Sequence, residues 1–440
     1  MTVLRPAVEM KDSGIEWVGR IPSDWNVVPI RTCFNEVVEK NKDGLVKNAL
    51  KFTYGEIVPK TNFDADEDDY VADTILNYYV VMPGTIMING LNLNFDLISQ
   101  RTALVREKGI ITSAYVGIIP KDYDVTLPEF MNYLFKAYDY RMAFHNMGGG
   151  VRKILNFTRL KSQMVCFPPL LEQQAIADYL DDRCSKIDEI IAEAAASIEE
   201  YKKLKQAVIF EAVTKGLDKT VPMKGSGVEW IGEIPFDWHV VKATRIIDFT
   251  QNGITRRDLE KSTGQIVLKL RNIDADGHID YSFVNRIELS KDELNRYILS
   301  NNDLLFVRVN GSKELVGKCA IFQSIDEPVA YNDHIIRVRL NQHCSVSYLK
   351  WVLLSPIGKR EITSRIKTSA GQHTLSGQDL RDIRLCLPPI KIQNSIAMYL
   401  EDKCNSIENI IVEKQSLIND LQAYKKSLIY EVVTGKRRVV

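Results

Sequence analysis

A long internal repeat constrains this chain more than any other feature. Gly14, Ile15, Glu16, Trp17, Val18, Gly19, Arg20, Ile21, Pro22, Ser23, Asp24 and Trp25 recur without a gap as Gly227, Val228, Glu229, Trp230, Ile231, Gly232, Glu233, Ile234, Pro235, Phe236, Asp237 and Trp238. A second block, Pro168 and Pro169 through Gln173, Ile176, Ala177, Tyr179, Leu180, Asp182 and Cys184, returns as Pro388 and Pro389 through Gln393, Ile396, Ala397, Tyr399, Leu400, Asp402 and Cys404. Between the blocks, residues 26–167 and 239–387 share little, and the second stretch is longer. A frame that repeats around unlike inserts implies a duplicated scaffold carrying two variable modules.

The closing block of each half predicts a helix. Pro168 and Pro169 are pre-set for a first turn, and neither proline nor glycine follows until Gly216. Within it Ile187, Ile191, Ala194, Ile198, Tyr201, Lys205 and Val208 step alternately by four and three, the seam of a coiled coil with one polar interruption. Ile407, Ile411, Lys414, Ile418, Leu421, Lys425 and Leu428 keep the same register in the second copy. Each seam is narrow, so the simplest burial is one against the other, antiparallel given the chain order. The inserts predict mixed strand and helix. Short β-branched runs at 85–88, 114–119, 266–270, 304–309 and 335–340 suggest strands, and 128–147 and 346–366 suggest amphipathic helices.

Composition narrows the function classes. A chain of 440 residues, 45% apolar and 26% charged, is ordinary globular material of two to four domains. No apolar run is long enough for a membrane span or a signal peptide, and seven cysteines without a Cys-x-x-Cys pair fit a reducing cytoplasm. The six histidines stand singly, so no metal site is expected. With 57 basic against 57 acidic side chains, nucleic acid cannot be held by bulk charge, only by local patches or through a partner. The acidic run Asp64, Asp66, Glu67, Asp68 and Asp69 predicts a solvated loop facing away from any phosphate.

The repeated blocks resemble the frame regions of type I restriction-modification specificity subunits, over nearly the whole chain. The carriers are Ile21 and Pro22 with Trp25, then Pro168, Pro169 and Leu170 with Glu172, Gln173 and residues 176–180, together with their second-half counterparts. Asp303, Leu304, Leu305 and Phe306, followed by Asn310, Gly311, Ser312, Gly317 and Lys318, look like part of that family's target-recognition domain. The resemblance implies an α+β fold with a pseudo-twofold internal repeat: target-recognition domains of α/β type at 1–167 and 217–387, and helical spacers at 168–216 and 388–440. It implies that each insert reads one half of a split, asymmetric site in double-stranded DNA. The helices would dock two methyltransferase subunits carrying S-adenosylmethionine, and cleavage would belong to restriction/motor subunits, leaving this chain non-catalytic and without a cofactor. A seam helix from Ile187 to Thr214 would span roughly 40 Å at 1.5 Å per residue, close to one turn of DNA. One departure stands out: Glu172 is replaced by Ile392, which loses either a first-turn carboxylate worth about 0.3 to 1 kcal/mol or a partner contact.

Base edges are read by paired donors and acceptors, typically Arg on guanine and Asn or Gln on adenine. The candidates are Asn89, Asn92 and Asn94 beside Gly90, and Arg152 and Lys153 after Gly148, Gly149 and Gly150. In the second insert they are Arg256 and Arg257, Asn310, Ser312 and Lys313, and Gln372 and His373 after Gly371. Plain turn chemistry accounts equally for the asparagines, and for each basic pair a solvated face or a phosphate contact that positions without specifying ranks ahead of base reading. Lys436, Arg437 and Arg438 are expected to form a solvated tail.

Enzyme motifs fail one by one. Phe167 and Leu387 precede the Pro-Pro pairs where an amino-methyltransferase needs a polar residue to hold its target amine. Gly311 to Lys318 departs from a phosphate loop in its spacing and in the Cys319 that follows. Glu200 and Lys202 fall on a predicted solvated helix face rather than in a nuclease cluster. The remaining rival is a coiled-coil adaptor with two protein-binding heads and no DNA specificity.

Overall fold

The closing blocks of the repeat form two long helices, Leu170–Lys215 and Ile390–Val433, in a computed structural model that describes residues 3–60, 75–97, 100–150, 153–255, 263–274, 277–369 and 371–439. Both helices start just after their proline pair. The Pro169 carbonyl accepts from Glu172 N and Gln173 N, and the Pro389 carbonyl from Ile392 N and Gln393 N, at 2.9 and 3.0 Å in each case. Along the first helix Ile187, Ala194 and Ile198 are buried and Ile191, Tyr201, Lys205 and Val208 half-buried; on the second Ile407, Ile418 and Leu428 are buried and Ile411, Lys414, Leu421 and Lys425 half-buried. The partially buried lysines are paired across the helices: Lys425 with Asp188 and Lys205 with Glu408, both at 2.6 Å. Lys414 lies over the Tyr201 ring at 5.9 Å. Partner numbers fall on one helix as they rise on the other, so the pair is antiparallel.

The chain divides into two compact units, one of residues 1–195 with 415–440 and one of residues 196–414. Each contains the start of one long helix and the end of the other. In the first unit, the strands Thr102–Leu104, Ile86–Ile88, Val116–Pro120 and Phe34–Glu36 make an antiparallel sheet in that order. Helix Pro128–Tyr140 buries Phe130, Met131, Leu134 and Phe135 in a core that also holds Trp25, Ile176, Leu180, Leu428 and Val432. In the second unit, Ile247–Asn252, Ile335–Leu340, Leu304–Val307 and Cys319–Ile321 make the corresponding antiparallel sheet. Helix Val346–Leu354 joins Trp238, Ile209, Val213, Ile396 and Leu400 in its core. Alternation of apolar residues with turn signals thus yields sheets, and the 3.6-residue period yields the helices that cover them.

The frame is built identically in both units. Met10–Asp12 pairs with Arg20–Pro22 as Met223–Gly225 pairs with Glu233–Pro235. Asn26–Pro29 pairs with Met164–Phe167 as His239–Lys242 pairs with Arg384–Leu387. The repeated glutamine explains why the frame holds its register. Gln173, fully buried, donates to the carbonyls of Pro168 at 2.9 Å and Val125 at 3.0 Å and accepts from Leu127 N at 2.9 Å. Gln393 does the same with Pro388 at 2.8 Å, His343 at 2.9 Å and Ser345 N at 2.8 Å. Each glutamine ties the root of a long helix to the segment leading into its unit's covering helix, with both polar atoms of the amide satisfied.

Three expectations are corrected. Residues 128–147 form two helices, Pro128–Tyr140 and Ala143–Met147, because Met142 takes a left-handed φ of 58°. Residues 346–366 likewise split into Val346–Leu354 and Pro356–Thr363: Pro356 cannot continue a helix, and Ser355 caps the new one by accepting from Gly358 N at 3.2 Å. The C-terminal basic residues are no solvated tail. Arg437–Arg438 pairs antiparallel with Val3–Leu4, Lys436 Nζ donates to the Val18 carbonyl at 2.6 Å, and Arg437 pairs with Glu431 at 2.7 Å. The strand pairing and Lys436 join residues 3–4 and 18 to residues 436–438 within the first unit, while Arg437 closes on Glu431 of its own segment.

Candidate nucleic-acid interface

In the first unit, the asparagine-rich loop after strand Ile86–Ile88 is held from beneath by a fully buried arginine. Arg101 donates to the carbonyls of Asn89 at 3.0 Å, Leu91 at 2.8 Å and Asp96 at 2.7 Å, and its guanidinium lies 3.7 Å from the Asp96 carboxylate. His145 Nε2 adds a bond to the Asp96 carbonyl at 3.1 Å. Arg101 is itself seated on Asp139, whose Oδ2 accepts from the arginine's backbone N–H at 2.7 Å. Burial pushes the Asp139 carboxyl up to about 6, against the Arg101 backbone bond and the charges of Arg101 and His145, which favour its ionised form.

The second predicted loop of this insert docks on the first. Leu155 N donates to the Gly90 carbonyl at 2.9 Å and Leu93 N to the Lys153 carbonyl at 3.3 Å, while Gly149 and Ile154 exchange backbone bonds at 3.1 and 3.0 Å. Glycine is required at the contact: a Cβ on Gly90 would lie well inside contact distance of the Leu155 carbonyl oxygen. The structure therefore brings Asn89, Asn92, Asn94 and Lys153 together from segments some sixty residues apart in sequence. Arg152 lies outside the described residues.

The second unit repeats this convergence with other residues. Strand Val309–Asn310 pairs with Gln372–Thr374, which places Asn310 directly opposite His373. Lys367–Ser369 extends the ribbon, with Thr368 Oγ1 2.9 Å from His373 Nδ1. Ser312 donates to Glu314 at 2.6 Å, and Ser312, Lys313 and Gln372 are exposed. That serine bond, then a backbone N–H bond and the more distant charges of His373 and Lys313, hold the Glu314 carboxyl below its usual range. Arg256, Arg257 and the acidic residues Asp64, Asp66, Glu67, Asp68 and Asp69 lie outside the described residues.

The candidates differ in exposure and in the turn bonds that Asn89 and Asn310 make. Asn89 accepts from Leu91 N at 3.1 Å and Asn310 from Ser312 N at 2.9 Å, so both spend a carbonyl on their own turns. Asn92, with a φ of 52°, and Asn94 are exposed on the loop surface. Sequence reasoning missed Arg101 and Asp139. The signal was a single cation, Arg101, at the mouth of the apolar run Ala103, Leu104 and Val105, next to a loop rich in asparagine. Among the described residues no His, Cys, Asp or Glu cluster could hold a metal, and no helix is long and apolar enough to cross a membrane.

The family model for the type I restriction modification DNA specificity domain matches residues 22–200 and again residues 235–418. The chain belongs to that family. Both matches start in the frame and end inside a long helix, so each copy of the family's domain includes an insert of the kind described. Over 422 residues the chain is 24% identical to the EcoKI specificity subunit of Escherichia coli strain K12, covering 92% of this chain and 88% of that protein. It is 26% identical over 434 residues to the MjaVIII specificity subunit of Methanocaldococcus jannaschii, covering 96% and 94%. The fold is shared with a chain from a solved type I R-M system (TM-score 0.71, 14% identity, 94% of this chain and 99% of that one). It is also shared with the HsdS subunit of Thermoanaerobacter tengcongensis (TM-score 0.55, 15% identity, 94% and 98%). The antiparallel helices and duplicated α+β units are those of a type I specificity subunit.

Proposed function

We propose that the chain is the non-catalytic DNA-reading subunit of a cytoplasmic type I restriction-modification complex, each unit reading one half of a split, asymmetric duplex sequence. The observation that carries this reading is the convergence, in both units, of two sequence-distant loops on a frame whose ladders and buried glutamines repeat. A frame that repeats to the level of Gln173 and Gln393, yet presents Asn92, Asn94 and Lys153 in one unit and Asn310, Lys313 and Gln372 in the other, suits two different half-sites. Two methyltransferase subunits binding S-adenosylmethionine would supply the chemistry, with restriction/motor subunits where cleavage occurs.

The test is co-expression with the neighbouring methyltransferase gene and genome-wide mapping of adenine methylation. A two-part motif with unlike halves is expected, and Asn92→Ala should relax one half alone. Absence of any two-part motif, together with protein partners bound by both units, would instead mark an adaptor.

A further inference from the structure

We propose that Phe95 is a base-contacting residue of the first unit, which recognises a thymine through its 5-methyl group; the inference rests on the DNA-reading role above and deepens it. Phe95 is 78% exposed and Leu97 60% exposed, beside the exposed Asn92 and Asn94, whereas Leu93 of the same loop is buried. The loop is not loose. Phe95 N and Asp96 N donate to the Asn92 carbonyl at 3.1 and 3.2 Å, and Arg101 and His145 hold the carbonyls of Asn89, Leu91 and Asp96 from the core side. A large apolar ring fixed outward between Asn92, Asn94 and the anchored Asp96 forgoes burial in its own unit, and nothing in the loop's own packing calls for it.

The flanking residues indicate which ligand chemistry suits the ring. An asparagine amide matches the N6 and N7 edge of adenine in the major groove, and the thymine paired with that adenine, or stacked beside it, shows its methyl group in the same groove. One loop therefore presents the exposed Asn92 amide and an apolar face, the set needed to read an A·T pair and its methyl together. The segment Asn310, Gly311, Ser312, Lys313 and Glu314 of the second unit has no aromatic residue, so the ring contact is assigned to the first unit.

The test uses the full chain assembled with its modification subunits and duplexes bearing the methylated motif, with each thymine replaced in turn by deoxyuridine. Wild type is expected to lose about fourfold in affinity at one thymine of one half-site, the equivalent of burying one methyl-sized group. Phe95→Ala should lose a similar factor on the native duplex and become indifferent to uridine at that position, while Phe95→Leu keeps part of the sensitivity. Equal uridine sensitivity in wild type and Phe95→Ala overturns the assignment, as does a half-site without thymine. Weakened assembly with the modification subunits at unchanged DNA preference would overturn it in favour of a protein contact. Loss of preference for any two-part sequence in wild type would overturn the DNA-reading role itself, and is seen before any variant is made.

Discussion

Asp139 and Arg101 show how a buried charge can serve a surface loop. The Asp139 carboxyl stands at about 6 in the folded chain, above its ordinary value of 3.8. Between those two pH values the native protein keeps a proton that the unfolded chain has released, so the carboxyl favours folding at low pH and that advantage is lost as pH rises through about 6. Asp139→Asn mimics the protonated group and keeps an acceptor for the Arg101 N–H. It should add up to ~3 kcal/mol of stability above pH 7 and under ~1 kcal/mol at pH 4, read from denaturant melts at the two pH values. A second prediction concerns the frame glutamines. Gln173→Leu strands the buried Pro168 carbonyl together with the part-buried Val125 carbonyl and Leu127 N–H, so it should cost about 3 kcal/mol, and Gln393→Leu should cost the same. Unequal losses would show that the two frames are not energetically equivalent. Glu172 belongs to the same corner, where it pairs with Arg5 and accepts from the Trp25 indole at 2.8 Å. With Ile392 in its place the second half loses that contact, a larger difference than the helix-dipole effect.

At the scale of elements, what was legible followed from period. The seam residues Ile187 to Val208 and Ile407 to Leu428 recur at 3.5-residue spacing, and their burial in the structure follows that spacing. Strand runs were legible for the same reason, Ile335–Leu340 falling where alternation and turn residues put it. The break at Met142 was not, because amphipathic period continues across it and only the tertiary fit of helix Ala143–Met147 shows that the axis turns. The break at Ser355 and Pro356 did have a sequence signal, a capping serine before a proline that ends any helix running into it. Loop convergence was also beyond the sequence, because pairing of Asn310 with His373 is a long-range register. The seam's energetics separate apolar from ionic contributions. Leu428→Ala removes a side chain only 2% exposed and should cost about 2 to 5 kcal/mol. Asp188→Ala breaks a pair whose side chains are 57% and 24% exposed and should cost under ~1 kcal/mol. Thermal melts of the two variants would reverse this order if charge pairing held the helices together.

For the whole molecule, the repeat decides how sequence change can act. Each insert leaves and re-enters the frame through one antiparallel ladder, so that Asn26 sits directly opposite Phe167, and His239 opposite Leu387. An element whose two ends are hydrogen-bonded neighbours can be replaced by another of different length without moving the frame, because closure of the insert does not depend on what lies between. That is the physical reason why two such different inserts, residues 26–167 and 239–387, sit on matching frames. It also sets an expected outcome for exchange. Replacing residues 26–167 with the corresponding insert of a relative should preserve the ladder, the Trp25 core and the frame's Gln173, whose bonds to Val125 and Leu127 need only backbone groups from the new insert. Methylation mapping of the hybrid complex should then find one half of the motif changed and the other retained. A change in both halves would mean that base choice is made jointly, and that the duplicated frame does not insulate one set of reading loops from the other.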